Sequence, residues 1–141
     1  MGSRKHTTAE ARKEANKTAY FATLRNCPSS PRKMRLVAEV IRDKNVELAL
    51  NILQHTPNYA SEKLFKLLKS AIANWQQKNE GVRLEDSNLY VKEVKVDEGR
   101  MLKRVQPAPQ GRAHRVRKRS NHVTLFVDSR VSVKENNTVT K

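Results

Sequence analysis

Cysteine is almost absent: Cys27 stands alone in 141 residues, so no internal disulfide staples this chain. A disulfide-dense secreted domain is excluded, and a reduced, cytoplasmic setting is the expectation. No run of about 18 apolar residues occurs, so neither a membrane-spanning helix nor membrane insertion is expected. Met1-Gly2-Ser3-Arg4-Lys5-His6 lacks the apolar centre of a signal peptide. His6 also stands where N-myristoylation wants Ser or Thr. His6, His55, His114 and His122 have no metal-ligand spacing with Cys27. There is no phosphate-loop motif and no nucleophile elbow. Glu85-Asp86 is a carboxylate pair beside a turn, read as a solvated loop rather than a catalytic dyad. The expectation is no catalysis, no metal and no cofactor.

Acidic residues are missing where cations are densest. Between Gly99 and Val127 there is no Asp or Glu, yet Arg100, Lys103, Arg104, Arg112, Arg115, Arg117, Lys118 and Arg119 fall there. The whole chain carries 29 Lys and Arg against 14 Asp and Glu, a formal net charge of +15. Such an excess repels itself on compaction and is tolerated when a polyanion neutralises it. Nucleic acid is the commonest such partner.

Residues 1–17 are small, polar and charged. They could form a solvated helix, but nothing there would anchor it by burial, so a flexible or RNA-ordered arm is expected. Residues 128–141 read as a polar tail. Between them, 18–127 reads as one domain. Tyr20, Ala22 and Leu24 alternate like a short strand, which Cys27-Pro28-Ser29-Ser30-Pro31 breaks. Ser30 suits an N-cap and Pro31 the first helical position. Met34, Val37, Ala38 and Ile41 recur at helical spacing over Pro31–Arg42, with Leu36 and Val40 widening the stripe. The first turn of this helix holds Arg32, Lys33 and Arg35, where the macrodipole disfavours cations. A bound anion would offset that cost.

A second helix, Val46–Gln54, carries Val46, Ala49, Leu50 and Leu53 on one side. Thr56-Pro57 repeats the cap-then-proline signal before a third helix ending near Lys78. Its inner face is Leu64, Leu68, Ala71, Ile72 and Trp75, flanked by Phe65 and Leu67. Leu89 and Val91, then Val94 and Val96, form a strand whose alternation slips at Lys92-Glu93, the mark of a bulge. Val123, Leu125 and Val127 alternate in the return strand. Cys27 is read as a small packing residue and His122 as a polar sheet or RNA contact. The class is α+β: three helices packed on a small antiparallel sheet, with a long protruding basic β-hairpin over about 97–117. Before Val123 that hairpin offers only Met101, Leu102, Val105 and Val116 as large apolar residues, too few for a core. About 15 residues per arm at roughly 3.3 Å each give a reach on the order of 50 Å. Such a ribbon is marginal alone in water. Pro107 and Pro109 stiffen its turn, and Gly99 and Gly111 permit unusual dihedrals or close approach.

Five segments in register resemble one family. Ser30-Pro31-Arg32-Lys33-Met34-Arg35-Leu36-Val37 is similar to the first-helix motif of the large-subunit ribosomal protein twenty-two family, and Leu68-Lys69-Ser70-Ala71-Ile72-Ala73-Asn74 to its third-helix motif. Glu98-Gly99 with Leu102-Lys103-Arg104, Gln110-Gly111-Arg112-Ala113, and Lys118-Arg119-Ser120-Asn121-His122-Val123-Thr124 resemble its hairpin. The resemblance covers roughly 18–127. It implies a structural protein on the outer surface of the large ribosomal subunit, near the exit of the peptide tunnel, that supports subunit assembly. It implies that Arg32, Lys33 and Arg35 contact rRNA phosphates and that Arg100, Arg115, Arg117, Lys118 and Arg119 hold the hairpin against rRNA. Lys103, Arg104, Gln110 and Arg112 then lie at or near the tip. The tip itself, Lys103, Arg104, Val105, Gln106, Pro107, Ala108, Pro109 and Gln110, would line the tunnel and meet the nascent polypeptide. Neighbouring large-subunit proteins are further implied partners; a homo-oligomer is not expected. Two departures stand out: Val105, Gln106, Ala108 and Pro109 make the tip less basic than in many members, and the N-terminal arm is longer.

Two other classes compete. A DNA-bending protein would lay the hairpin in a groove, but its apolar wedge is poorly represented by Val105 and two prolines. An RNA-processing enzyme would need an acid or histidine whose loss abolishes turnover.

Overall fold

Strand β5 (Asn121–Ser129) is the spine of the computed structural model, which describes residues 3–80 and 82–130. Its alternation sends Asn121, Val123, Leu125 and Val127 inward and leaves the residues between them half-buried. Strands β1 (Tyr20–Cys27) and β2 (Leu89–Glu98) flank it antiparallel, in the order β1-β5-β2. The slip anticipated at Lys92 is present: pairing shifts between Val91 and Glu93. That bulge puts Val94 on the buried side with Leu89 and Val91.

Three helices cover the apolar face: α2 (Pro31–Ile41), α3 (Val46–His55) and α4 (Tyr59–Lys78), after α1 (Ser3–Thr18) near the N-terminus. Helix α4 lies across β1 and β5, and α2 against β2. Met34, Ile41, Leu64, Leu68, Trp75 and Leu125 are fully buried between the layers. Each such side chain contributes about 1.5–3 kcal/mol by leaving water. Cys27 is buried among them. The α+β class and the three central helices are therefore as expected.

Several local expectations need correction. Leu36 and Val40 do not widen the buried stripe; they are 72% and 50% exposed. They lie roughly 200° and 240° round the helix from Met34, away from the sheet. Ser30 occupies the N-cap position of α2 but makes no side-chain capping bond. Thr56 is not an N-cap: it ends α3, its Oγ1 donating to the Ile52 carbonyl at 2.6 Å, and Asn58 precedes α4 instead. The solvated helix that the N-terminal arm could form is present over 3–18 as α1, with no buried residue. Its end is held by Lys78, whose Nζ donates to the Lys17 and Ala19 carbonyls at 3.0 and 2.8 Å. Glu85-Asp86 falls in a one-turn helix, α5 (Leu84–Ser87), and their side chains lie outside the description. Of the expected tail, 131–141 lies outside the described residues.

Helix α2 also finishes the sheet. Arg35 Nη2 donates to the Val96 carbonyl at 3.0 Å and Arg42 Nη2 to that of Val94 at 3.4 Å. The Asp43 amide donates to Val91 O, and the Val91 amide to Lys44 O, both at 2.9 Å. The open edge of β2 is thus partly occupied, which blunts strand addition there.

Candidate nucleic-acid interface

Past the sheet the two long strands continue as a ribbon, β3 (Leu102–Pro107) paired with β4 (Ala113–Lys118). The neck between sheet and ribbon is formed at Gly99. Its amide donates to the Ser120 carbonyl at 2.9 Å, and Ser120 Oγ donates to the Arg100 carbonyl at 2.6 Å. A Cβ on Gly99 would lie 2.6 Å from Ser120 Oγ and 3.2 Å from the Ser120 carbonyl carbon. The glycine is therefore required by close approach. From Glu98↔Asn121 to Leu102↔Lys118, one arm advances four residues and the other three, so the ribbon is re-registered at the neck.

The paired ladder has six residues per arm. At about 3.3 Å per residue it is roughly 20 Å long. The expected reach near 50 Å counted strand that the core sheet absorbs. Every β3 residue is exposed, and of β4 only Val116 is half-buried. At the turn Ala108 N donates to Arg112 O at 2.8 Å. Gln110 and Gly111 both have positive φ, +63° and +69°. Glycine adopts this without penalty, whereas Gln110 does so at some cost.

Antiparallel partners share a face. Lys103↔Arg117 and Val105↔Arg115 therefore lie on one side of the ribbon, while Leu102↔Lys118, Arg104↔Val116 and Gln106↔His114 lie on the other. Both sides are cationic. Among the described residues, no ion pair involves a hairpin cation or Arg32, Lys33 or Arg35; the pairs lie at Glu62–Lys66, Asp128–Lys92, Glu93–Lys95, Glu39–Arg42 and Glu10–His6. Lys66, donating to Glu62 at 2.8 Å, holds that carboxyl below its usual range. Five acids are paired in this way, none of them with a hairpin cation, and the hairpin charge is left for a partner.

The sequence places α2's first turn far from the hairpin; the fold brings them together. Asn121 Nδ2, fully buried, donates to Ser29 O at 2.8 Å and Ser29 Oγ at 2.9 Å. His122 Nδ1 accepts from the Asn26 amide at 3.1 Å, so His122 is a sheet contact. A cleft of about 810 Å³ opens between the neck and the start of α2, where Lys33 meets Arg100, Arg117, Lys118 and Arg119 with no carboxylate among the described residues that line it. Arg32 is exposed on the same turn, whereas Arg35 turns towards β2 and bonds Val96 O. Lys103, Arg104, Arg112 and Arg115 lie further out, near the tip or along the arms.

Three contributors were missed in the sequence. Tyr59 lines the cleft and is 52% exposed. It sits on the side of α4 opposite the apolar stripe, a signal available in the spacing. Asn121 and Ser29 tie the two walls together, and nothing local in the sequence marks that pairing.

The family model described as ribosomal protein L22p/L17e matches residues 22–128. The chain is 64% identical over 127 residues to large ribosomal subunit protein uL22 of Flavobacterium johnsoniae, covering 90% of this chain and 93% of that one. It is 57% identical over 129 residues to the protein of that name from Porphyromonas gingivalis, covering 92% and 96%. With its namesake from Bacteroides fragilis it shares 56% over 137 residues, covering 97% and 100%.

Proposed function

The chain belongs to the ribosomal protein L22p/L17e family, a structural and non-enzymatic constituent of the large ribosomal subunit, and from that premise we propose that its hairpin and neck bind large-subunit rRNA. Its place is then the cytoplasmic ribosome. The observation that carries the binding reading is the exposed ladder on which Lys103, Arg104, Arg115, Arg117 and Lys118 stand without an ion pair among the described residues. Phosphates would neutralise those charges and release counterions. Arginine suits the task because its planar guanidinium pairs bidentately with phosphate and stacks on bases. Arg32, Lys33 and Arg100 extend the same surface onto the domain, and Arg112 and Arg119 continue it at the turn and neck.

The tip has a different chemistry. Val105 is 68% exposed, and Gln106, Pro107, Ala108, Pro109 and Gln110 carry no charge. This reading puts the cationic arms against rRNA during subunit assembly and leaves the tip facing the exit tunnel and its nascent polypeptide. Neighbouring large-subunit proteins complete the set of partners.

Co-sedimentation with deproteinised large-subunit rRNA across a salt series tests the binding. Affinity should fall linearly in log–log form, and neutralising one contacting arginine, Arg115→Gln, should reduce the slope by about one. A flat salt response would contradict it, as would equal affinity for duplex DNA.

A further inference from the structure

We propose that the cleft between the hairpin neck and the start of α2 receives a single unpaired RNA nucleotide, its base laid against Tyr59 and Leu102 and its phosphate held at the cationic rim. The inference rests on the RNA-binding reading and names what this part of the surface takes.

Size comes first. At about 810 Å³ the cleft falls within the range of small-ligand sites, which span roughly 300–1,000 Å³. Its lining is divided in the way a nucleotide requires. Lys33, Arg100, Arg117 and Arg119 supply positive charge, and no carboxylate is among the described residues that line the cleft. Tyr59 and Leu102 supply apolar surface, 52% and 45% exposed, although neither belongs to the core. A purely electrostatic phosphate patch has no use for an exposed aromatic ring and leucine side by side with its cations. A base does, because unpaired bases are held by stacking on aromatic rings and arginine planes.

The site is also built in advance. Lys63 Nζ lies 5.0 Å from the centroid of the Tyr59 ring, a cation–π contact that orients it. Asn121 ties Ser29 on one wall to β5, and the Gly99 amide ties the other wall to Ser120. Both walls are thus fixed to consecutive residues, Ser120 and Asn121, where the neck enters β5, which lowers the ordering cost of binding. A base inside an A-form helix cannot enter, because its faces are stacked and its major groove is closed to side chains. The nucleotide must come from a bulge, a loop or a strand end.

Anisotropy titration of the full-length protein with two short RNA stem-loops tests this. One stem is fully paired; the other carries a single bulged 2-aminopurine. The expected result is a preference for the bulged RNA of roughly ten-fold, with a change in 2-aminopurine fluorescence on binding. Tyr59→Ala should abolish both the preference and the fluorescence change, bringing the affinity for the bulged RNA down to that for the paired stem. Tyr59→Phe should retain both, and Lys33→Gln should weaken both RNAs together. Equal binding of the two stems by the unaltered protein would overturn the proposal. So would a preference that survives Tyr59→Ala in a variant whose melting temperature is unchanged. Binding of the paired stem alone removes the nucleotide site but keeps the RNA-binding reading; failure to bind either stem, or large-subunit rRNA, removes both.

Discussion

Lys103 and Arg117 stand directly opposite each other across the β3–β4 ladder, two like charges on one face of an exposed ribbon. Like charges so placed destabilise a hairpin. The arrangement is favourable only where anions lie against that face. Lys103→Glu would convert the repulsion to a cross-strand ion pair. The variant should show a better-ordered free hairpin by amide exchange and, at the same time, weaker rRNA binding with a shallower salt slope. Unchanged binding would show that this face does not meet RNA.

The neck gives a steric prediction. Gly99→Ala forces a methyl to within 2.6 Å of Ser120 Oγ and 3.2 Å of the Ser120 backbone. Overpacking of this kind costs about 1–3 kcal/mol. Denaturant unfolding should record a loss of that size. A second substitution, Ser120→Gly, should recover part of it by removing the nearer atom.

Asn121 couples stability to the interface. Asn121→Ala removes both bonds to Ser29 and leaves the half-buried Ser29 carbonyl without that donor. A loss of about 1–3 kcal/mol is expected in chemical denaturation. Because the same bonds hold the start of α2 beside the neck, rRNA affinity should fall although no cation has been touched.

Core and ribbon should respond differently to equal chemistry. Leu125 is fully buried in β5, and its replacement by alanine should cost about 2–5 kcal/mol, read from the thermal transition. Val105→Ala on the exposed ribbon should leave that transition within about 0.5 kcal/mol of the parent. A large drop for Val105→Ala would place the tip inside the cooperative unit.

Much of this was legible in the residues, because period and charge are local signals. The stripe Met34, Val37, Ala38, Ile41 and the inner face of α4 mark their helices by spacing alone. The slip at Lys92-Glu93 marks a bulge for the same reason: a strand has period two, and one extra residue must break it. The acid-free stretch after Gly99 points to the ribbon because eight uncompensated cations cannot build a core. What was not legible depends on contacts distant in sequence. Leu36 and Val40 have core chemistry, but α2 meets the sheet through a narrower arc than its apolar residues span. Arg35 looks like its neighbours Arg32 and Lys33, yet only the packed β2 edge reveals its bond to Val96. Tyr59 acquires its place from a cleft whose other wall, Arg100, Leu102 and 117–120, lies roughly forty to sixty residues further along the chain. The family resemblance supplied the ribosomal setting, which composition alone left among several polyanion-binding classes.

The central claim is that the cationic ribbon is held extended by the polyanion rather than by the domain. Hydrogen exchange across 102–118, in the free protein and in complex with large-subunit rRNA, measures this directly. The ribbon amides should exchange fast in the free protein, while β1, β5 and β2 stay protected, and should become protected in the complex. Equal protection of the ribbon with and without RNA would contradict the account.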